Sequence, residues 1–286
     1  MLRCMTSAIA GLKANMTGLD VTGNNVSNVN TDSFKSSSVS FRDTMYQQIN
    51  GGSANSANTA GINPSQIGYG ATASSVDVDF TKGGKNSTGK SSDVYIDGDA
   101  FFVVGNSAKD AAKDTFTGYK YTRLGKLSTD SAGYLNAGEG NYVCGYVYDP
   151  ATKKMGTTLQ AIKLPTPDDG KTIENTSIAS DGTITCDNGG TITTVGQIAL
   201  SKFTNPSGLK QIGNSFYNKT DNAGAETTIT PGTDSTNGLV TGSLEGSNVD
   251  LATEFSNMIM YERGYQANTK IVGVADEMLQ TLVNMK

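Results

Sequence analysis

Apolar residues recur at alternating three- and four-residue steps at both ends of this chain, and a helix striped in that way holds its shape only against a second helix. Leu2, Met5, Ile9, Leu12, Met16 and Leu19 set the rhythm near the start. Met258, Tyr261, Tyr265, Asn268, Val272, Ala275, Leu279 and Leu282 repeat it near the end, and Phe255 joins the same packing set. Such a narrow stripe buries little within its own helix, so its stability must come from a partner. The middle of the chain has no comparable period. The fold class expected is therefore α+β: N- and C-terminal helices forming a coiled-coil hairpin, with an all-β central domain.

Composition narrows what the centre can be. Glycine is about 12 % of the chain against a usual level of about 7 %, and only 17 % of residues are charged, which favours strands and turns over a helical body. The net charge of -5 and the absence of a run of lysines and arginines argue against nucleic acid or an anionic membrane as partner. No segment has the roughly 20 apolar residues that membrane insertion needs. The chain has no histidine, which removes the serine hydrolase triad, the zinc protease motif and the ordinary imidazole base. Cys4, Cys144 and Cys186 are odd in number and far apart, so they indicate neither a disulfide framework nor a zinc site. No catalytic residue, metal or cofactor is expected. Asp77, Asp79, Asp97 and Asp99 could be imagined as a carboxylate pair or a Ca²⁺ site, but strand alternation makes Asp77 and Asp79 an exposed polar face first.

Along the chain, a first helix is predicted from Leu2 to about Val26, within residues 1–30. Asn24 and Asn28 then lie four apart on one helical face. They read either as a fraying helix end or as amides that tie neighbouring segments together. Residues 31–72 form a linker segment, with the glycine, serine and asparagine of 46–74 marking its flexible part. A β-rich outer domain spans 73–246. Its strand candidates include Val76 to Phe80, Val94 to Ile96 and Phe101 to Val104, the last two joined as a hairpin across Asp97-Gly98. Others run from Gly118 to Leu127, Asn141 to Tyr148, Thr183 to Cys186, Gln197 to Phe203 and Gly238 to Leu244, and a small insertion is placed within 149–176. The last helix, 247–286, opens on a capping box at Ser247-Asn248-Val249-Asp250. Asn268 on its seam is either a register-setting buried amide or the point where the seam meets solvent.

Several of these residues form motifs. Met1-Leu2-Arg3 with its stripe, Gly23-Asn24-Asn25-Val26-Ser27-Asn28-Val29-Asn30-Thr31, Phe34-Lys35 and Phe41 resemble the N-terminal segment of the bacterial flagellar rod and hook family. Leu244-Glu245-Gly246-Ser247-Asn248-Val249-Asp250-Leu251, Glu254-Phe255 and Glu262-Arg263-Gly264-Tyr265-Gln266-Ala267-Asn268 resemble its C-terminal segment. Weaker matches lie at Asp93 to Phe102, at Tyr121-Thr122-Arg123 with Gly125, at Ser180-Asp181-Gly182 and at Phe203 to Leu209.

The resemblance implies a structural subunit, not an enzyme. Its terminal helices would line a hollow tube, and its β domain would form the wall. Asn24, Asn25, Asn28, Asn30, Phe34, Lys35, Ser247, Asn248 and Asn268 are carried over as the assembly motif. Asp250-Leu251 and Gln266-Ala267-Asn268 with Lys270 resemble hook proteins more closely than the distal rod protein. The reading is thus a short hook protein, a curved extracellular tube that bends while it transmits torque, with a rigid rod subunit as the alternative. The partners implied are copies of the chain itself, the distal rod protein, the hook cap protein, the hook-filament junction protein and the flagellar type III export apparatus, which takes its cargo without a cleaved signal peptide. A secreted adhesin or glycan-binding β domain would explain the centre but not the paired stripes. Three positions depart from the family pattern: Ser33 and Ala100 stand where glycine is usual, and Thr22 where an apolar residue is.

Overall fold

A computed structural model describes residues 2–55, 60–105, 118–149, 154–165, 175–188, 191–232 and 237–285. They form two compact units, one of residues 1–29, 36–79 and 249–286 and the other of residues 30–35 and 80–248. The architecture is α+β, with one long helix from each end of the chain and a β-rich region between them in sequence.

The first unit holds α1 (Leu2–Ser27), the strands β1 (Ser37–Asp43), β2 (Tyr46–Asn50), β3 (Ser65–Gly68) and β4 (Ala71–Val78), and the C-terminal helix α2 (Leu251–Asn284). The composition of 46–74 reads as a linker, yet these residues pair. β1 runs antiparallel to β4 and β2 antiparallel to β3, so backbone bonding orders a stretch whose side chains bury little. Val76 is exposed here, so β4 is not the half-buried strand its alternation suggests. The helix α2 starts later than the capping box at Ser247 implies. Its cap is Asp250, whose carboxylate accepts from the Ala252 amide and from the Thr253 hydroxyl. Those bonds hold the Asp250 carboxyl below the usual range.

The two helices run antiparallel against each other. A Cβ built on Gly11 would meet the Asn268 amide at 2.7 Å, one on Gly264 would meet Asn15 at 2.9 Å, and one on Gly18 would meet the Tyr261 ring at 3.0 Å. Further along, Asn25 donates to Glu254 at 2.9 Å. On α1 these residues are spaced by four, three and seven, and on α2 by the same intervals in reverse, which is the signature of a single register. Glycine on one helix opposite a larger side chain on the other lets the axes approach closely.

The second unit contains β5 (Lys85–Ser87), β6 (Val94–Asp97), β7 (Phe101–Gly105), β8 (Tyr119–Thr122), β9 (Ser128–Thr129), β10 (Leu135–Asn136), β11 (Tyr142–Asp149) and β12 (Lys154–Ala161). It continues with β13 (Asn175–Ile178), β14 (Thr183–Asn188), β15 (Thr191–Ile198), β16 (Leu200–Phe203), β17 (Lys210–Gly213) and β18 (Phe216–Asn218). The last three strands are β19 (Glu226–Ile229), β20 (Gly238–Thr241) and β21 (Ser243–Glu245). The main sheet runs β13-β14-β15-β11-β7-β8-β18-β17, with β12 on β11, and β16 joining β7 to β19. β7 is central and buried on both faces, as a continuous Phe-Phe-Val-Val run requires. Phe102 and Val104 enter one core with Ile162, Ile184, Ile198 and Leu239, while Phe101 and Val103 enter another with Tyr121, Phe203 and Tyr217.

The hairpin across Asp97-Gly98 does not form. β6 pairs with β20, whereas β7 pairs with β8, β11 and β16. A tight hairpin turn needs positive φ, and among residues 97–100 none has it. The carbonyls of Gly98 and Ala100 instead accept from the Arg123 guanidinium, which opens the turn and sends the chain to a different sheet. Within 149–176, where a small insertion is expected, Lys154–Ala161 forms β12 against β11, and residues 150–153 and 166–174 lie outside the described residues.

Candidate functional site

The residues expected to form an assembly motif divide between the two units. In the first, Asn25 is 1 % exposed and fully engaged. Its Nδ2 donates to the Ser37 carbonyl at 2.8 Å and to Glu254 Oε1 at 2.9 Å, and its Oδ1 accepts from the Ser37 amide at 3.0 Å. One amide thereby ties α1, β1 and α2. Asn28 donates to the carbonyl and the side chain of Asn24, both at 2.9 Å, which closes the end of α1. Thr22 is buried and donates back to the Gly18 carbonyl, so a hydroxyl is tolerated where an apolar residue is usual.

The α1 residues seen against α2 lie beside its apolar stripe. The contact runs over Gly11, Asn15, Gly18 and Asn25, with Ala8 and Thr22 buried on the same line, one residue away from Ile9, Leu12, Met16 and Leu19. Met16 is 51 % exposed and Ile9 is also exposed, while Met5, Leu12 and Leu19 are half-buried. On α2 the half-buried line comprises Met258, Tyr261, Gly264, Asn268, Val272 and Leu279, with Ala275 buried. Tyr265 and Phe255 are exposed. Leu282 is exposed as well. Small residues seat the helices against each other, and the larger apolar side chains of α1 beside them are half-buried or exposed. Phe41 packs edge-on against Tyr261, with ring centroids 5.9 Å apart.

In the second unit the motifs meet at one carboxylate. Lys35 Nζ lies 2.8 Å from Glu245 Oε1, and Arg123 Nε lies 2.8 Å from Glu245 Oε2. All three side chains are at most 1 % exposed. Lys35 also donates to the Thr81 carbonyl, and the Gly83 amide donates to Glu245 Oε1. Arg123 turns its two terminal nitrogens to the Gly98 and Ala100 carbonyls and stacks over Phe101. Burial alone would push the Glu245 carboxyl up, but the charges and hydrogen bonds of Arg123 and Lys35 outweigh it and hold the carboxyl below the ordinary glutamate range. Asn248 reaches the same corner, donating to the Thr81 hydroxyl at 3.2 Å. Ser247 is half-buried, Phe34 is half-buried with its amide on the Thr31 carbonyl, and Asn30 is exposed.

Ser33 closes the ring. Its amide donates to the Glu245 carbonyl at 2.8 Å and its hydroxyl to the Arg123 carbonyl at 2.9 Å. Its φ of 60° lies in the left-handed region, which explains why glycine suits this place and why a serine needs a compensating bond. Ala100, at the other departure, is fully buried without positive φ. Arg123 and Glu245 lie within the motifs Tyr121-Thr122-Arg123 and Leu244-Glu245-Gly246, but nothing in the local sequence marks either as a site residue. Their signal, three charges with partners up to 210 residues away, is invisible to local pattern.

Comparison with known proteins matches the same regions. A family model described as flagellar hook protein FlgE/F/G D1 domain covers residues 95–186, and one described as flagellar basal body rod FlgEFG protein C-terminal covers 240–285. The flagellar basal-body rod protein FlgG of Bacillus subtilis is 40 % identical over the full length of both chains. That of Borreliella burgdorferi is 31 % identical over 100 % of this chain and 99 % of its own. The flagellar hook protein FlgE of Treponema pallidum is 36 % identical, but over 51 % of this chain and 30 % of its own length. The chain belongs to the flagellar rod and hook protein family, a family of structural proteins.

Proposed function

We propose that this chain is a subunit of the flagellar rod, and that copies of it polymerise through their terminal helices into a stiff hollow shaft that carries torque. The observation that carries this reading is the end-to-end similarity to rod proteins at 40 % and 31 % identity. The similarity to a hook protein extends over 51 % of the chain, so the hook assignment drawn from the motif residues gives way to the rod. Within each subunit α1 and α2 would act as a coiled-coil hairpin, and the exposed Ile9, Met16, Phe255 and Ile259 would meet neighbouring copies.

The ribbon of β1 to β4 supports a shaft over a joint. Its strands are paired where an unpaired linker would bend freely, and it displays Met45, Tyr46, Ile49, Ile62 and Ile67, all exposed, for contact with other subunits. Export through the flagellar type III apparatus and an end-on junction with the hook follow from the same reading. The test is to polymerise the purified full chain and image it by electron microscopy. Straight tubes of uniform diameter are expected, and supercoiled or curved tubes would return the assignment to the hook.

A further inference from the structure

The second unit joins the rest of the chain at four points, after residues 29, 35, 79 and 248. The segments next to these joins are 30–35, 80–84 and 243–248, and Glu245 touches all three. Its carboxylate holds Lys35 and the Gly83 amide, its carbonyl holds the Ser33 amide, and the neighbouring Gly246 amide donates to the Gly84 carbonyl at 2.7 Å. Two buried cations share this one anion. They are held differently: Arg123 is also fixed by two carbonyls and the Phe101 ring, whereas Lys35 reaches in from a six-residue segment that leaves the unit again at once.

We propose that Lys35, Glu245 and Arg123 form a closing switch, in which segment 30–35 seats on the second unit only when β21 pairs with β5 and delivers Glu245 to Arg123. The N-terminal and C-terminal joins of the unit are then fixed together or released together. Without β21 in place, seating Lys35 would put a second positive charge beside Arg123 in a dry site with no counter-ion, which is strongly unfavourable. A subunit thus secures its N-terminal segment only after residues from near its other end have docked. Coupling of this kind is reciprocal, so loosening either side must loosen the other.

Hydrogen exchange on the full chain tests this, following peptides over 30–35, 80–84 and 243–248 with β7 and β11 as internal references. Glu245→Gln should raise exchange across 30–35 by about a hundredfold, the scale of a broken buried pair, with β7 and β11 unchanged. Lys35→Met should raise exchange at Gly83 and Gly246, and the double variant should be no looser than the worse single one. Effects confined to each mutated segment, or effects that simply add, would overturn the coupling. If Glu245→Gln does not fold, Lys35→Met decides alone: unchanged protection at Gly83 and Gly246 refutes the switch.

Discussion

Among the described glycines, Gly125, two residues beyond Arg123, leaves the least room for a side chain. A Cβ added there would lie 1.7 Å from the Val94 carbonyl oxygen and 2.7 Å from its carbon, with the Phe102 ring at 3.3 Å. The obstacle is backbone, so no rotamer relieves it. Gly125 does not have a positive φ, so the requirement is for space and not for a special conformation. To reach even a 3.0 Å approach the two chains must part by about 1.3 Å, which costs about 1–3 kcal/mol as overpacking. The same movement breaks the bond from the Val94 amide to the Gly125 carbonyl beside a fully buried side chain, adding about 1–3 kcal/mol. Gly125→Ala should therefore destabilise the unit by about 4 kcal/mol and lower its Tm by about 10 °C. Gly84→Ala is the control, because its Cβ would meet nothing within 4 Å and it should be neutral or gain about 0.4–1 kcal/mol. Calorimetry of both variants decides, and a Gly125→Ala shift below about 2 °C would refute the steric reasoning.

Other consequences can be measured in the same way. Asn25→Ala strips three hydrogen bonds from a buried junction and should cost about 2–4 kcal/mol in the first unit, read as faster exchange at Ser37 and along α2 near Glu254. Ser33→Ala keeps the left-handed φ and loses the bond to Arg123, so it should lose about 1–2 kcal/mol in urea denaturation; Ser33→Gly sheds the strain and should lie near the wild type. The folded-state pKa of Glu245 is depressed, so its contribution to stability is complete above the ordinary glutamate pKa and is lost as pH falls through the depressed folded value. Acid titration should accordingly unfold Glu245→Gln with a weaker pH dependence in that range than the wild type, and identical profiles would contradict the assignment.

The helices and the more apolar strands were legible because their signals are local, whereas β1 to β3, β12, β13 and β17 to β19 carried no such signal. The stripe near the start gives α1 within a residue of its observed end, and the apolar runs at Asn141 to Tyr148 and Thr183 to Cys186 each lie on a strand. What local pattern misses is partnership. Periodicity identifies Leu2, Met5, Ile9, Leu12, Met16 and Leu19 as a stripe, but it cannot tell that Gly11, Asn15 and Gly18 on the adjoining line lie closely against α2. The ribbon was hidden because glycine, serine and asparagine look like a linker until their backbones pair. The carboxylate at Glu245 was hidden for a related reason. Single lysines, arginines and glutamates read as surface charges, and only the fold brings Lys35, Arg123 and Glu245 together out of solvent.

Rod and hook subunits differ most directly in where they sit. Immunogold electron microscopy of isolated flagellar basal bodies, with antibody raised against residues 80–248, locates the subunit without relying on any variant. A shaft subunit requires label on the straight segment within the basal body. Label along the curved segment outside the envelope would contradict the rod assignment.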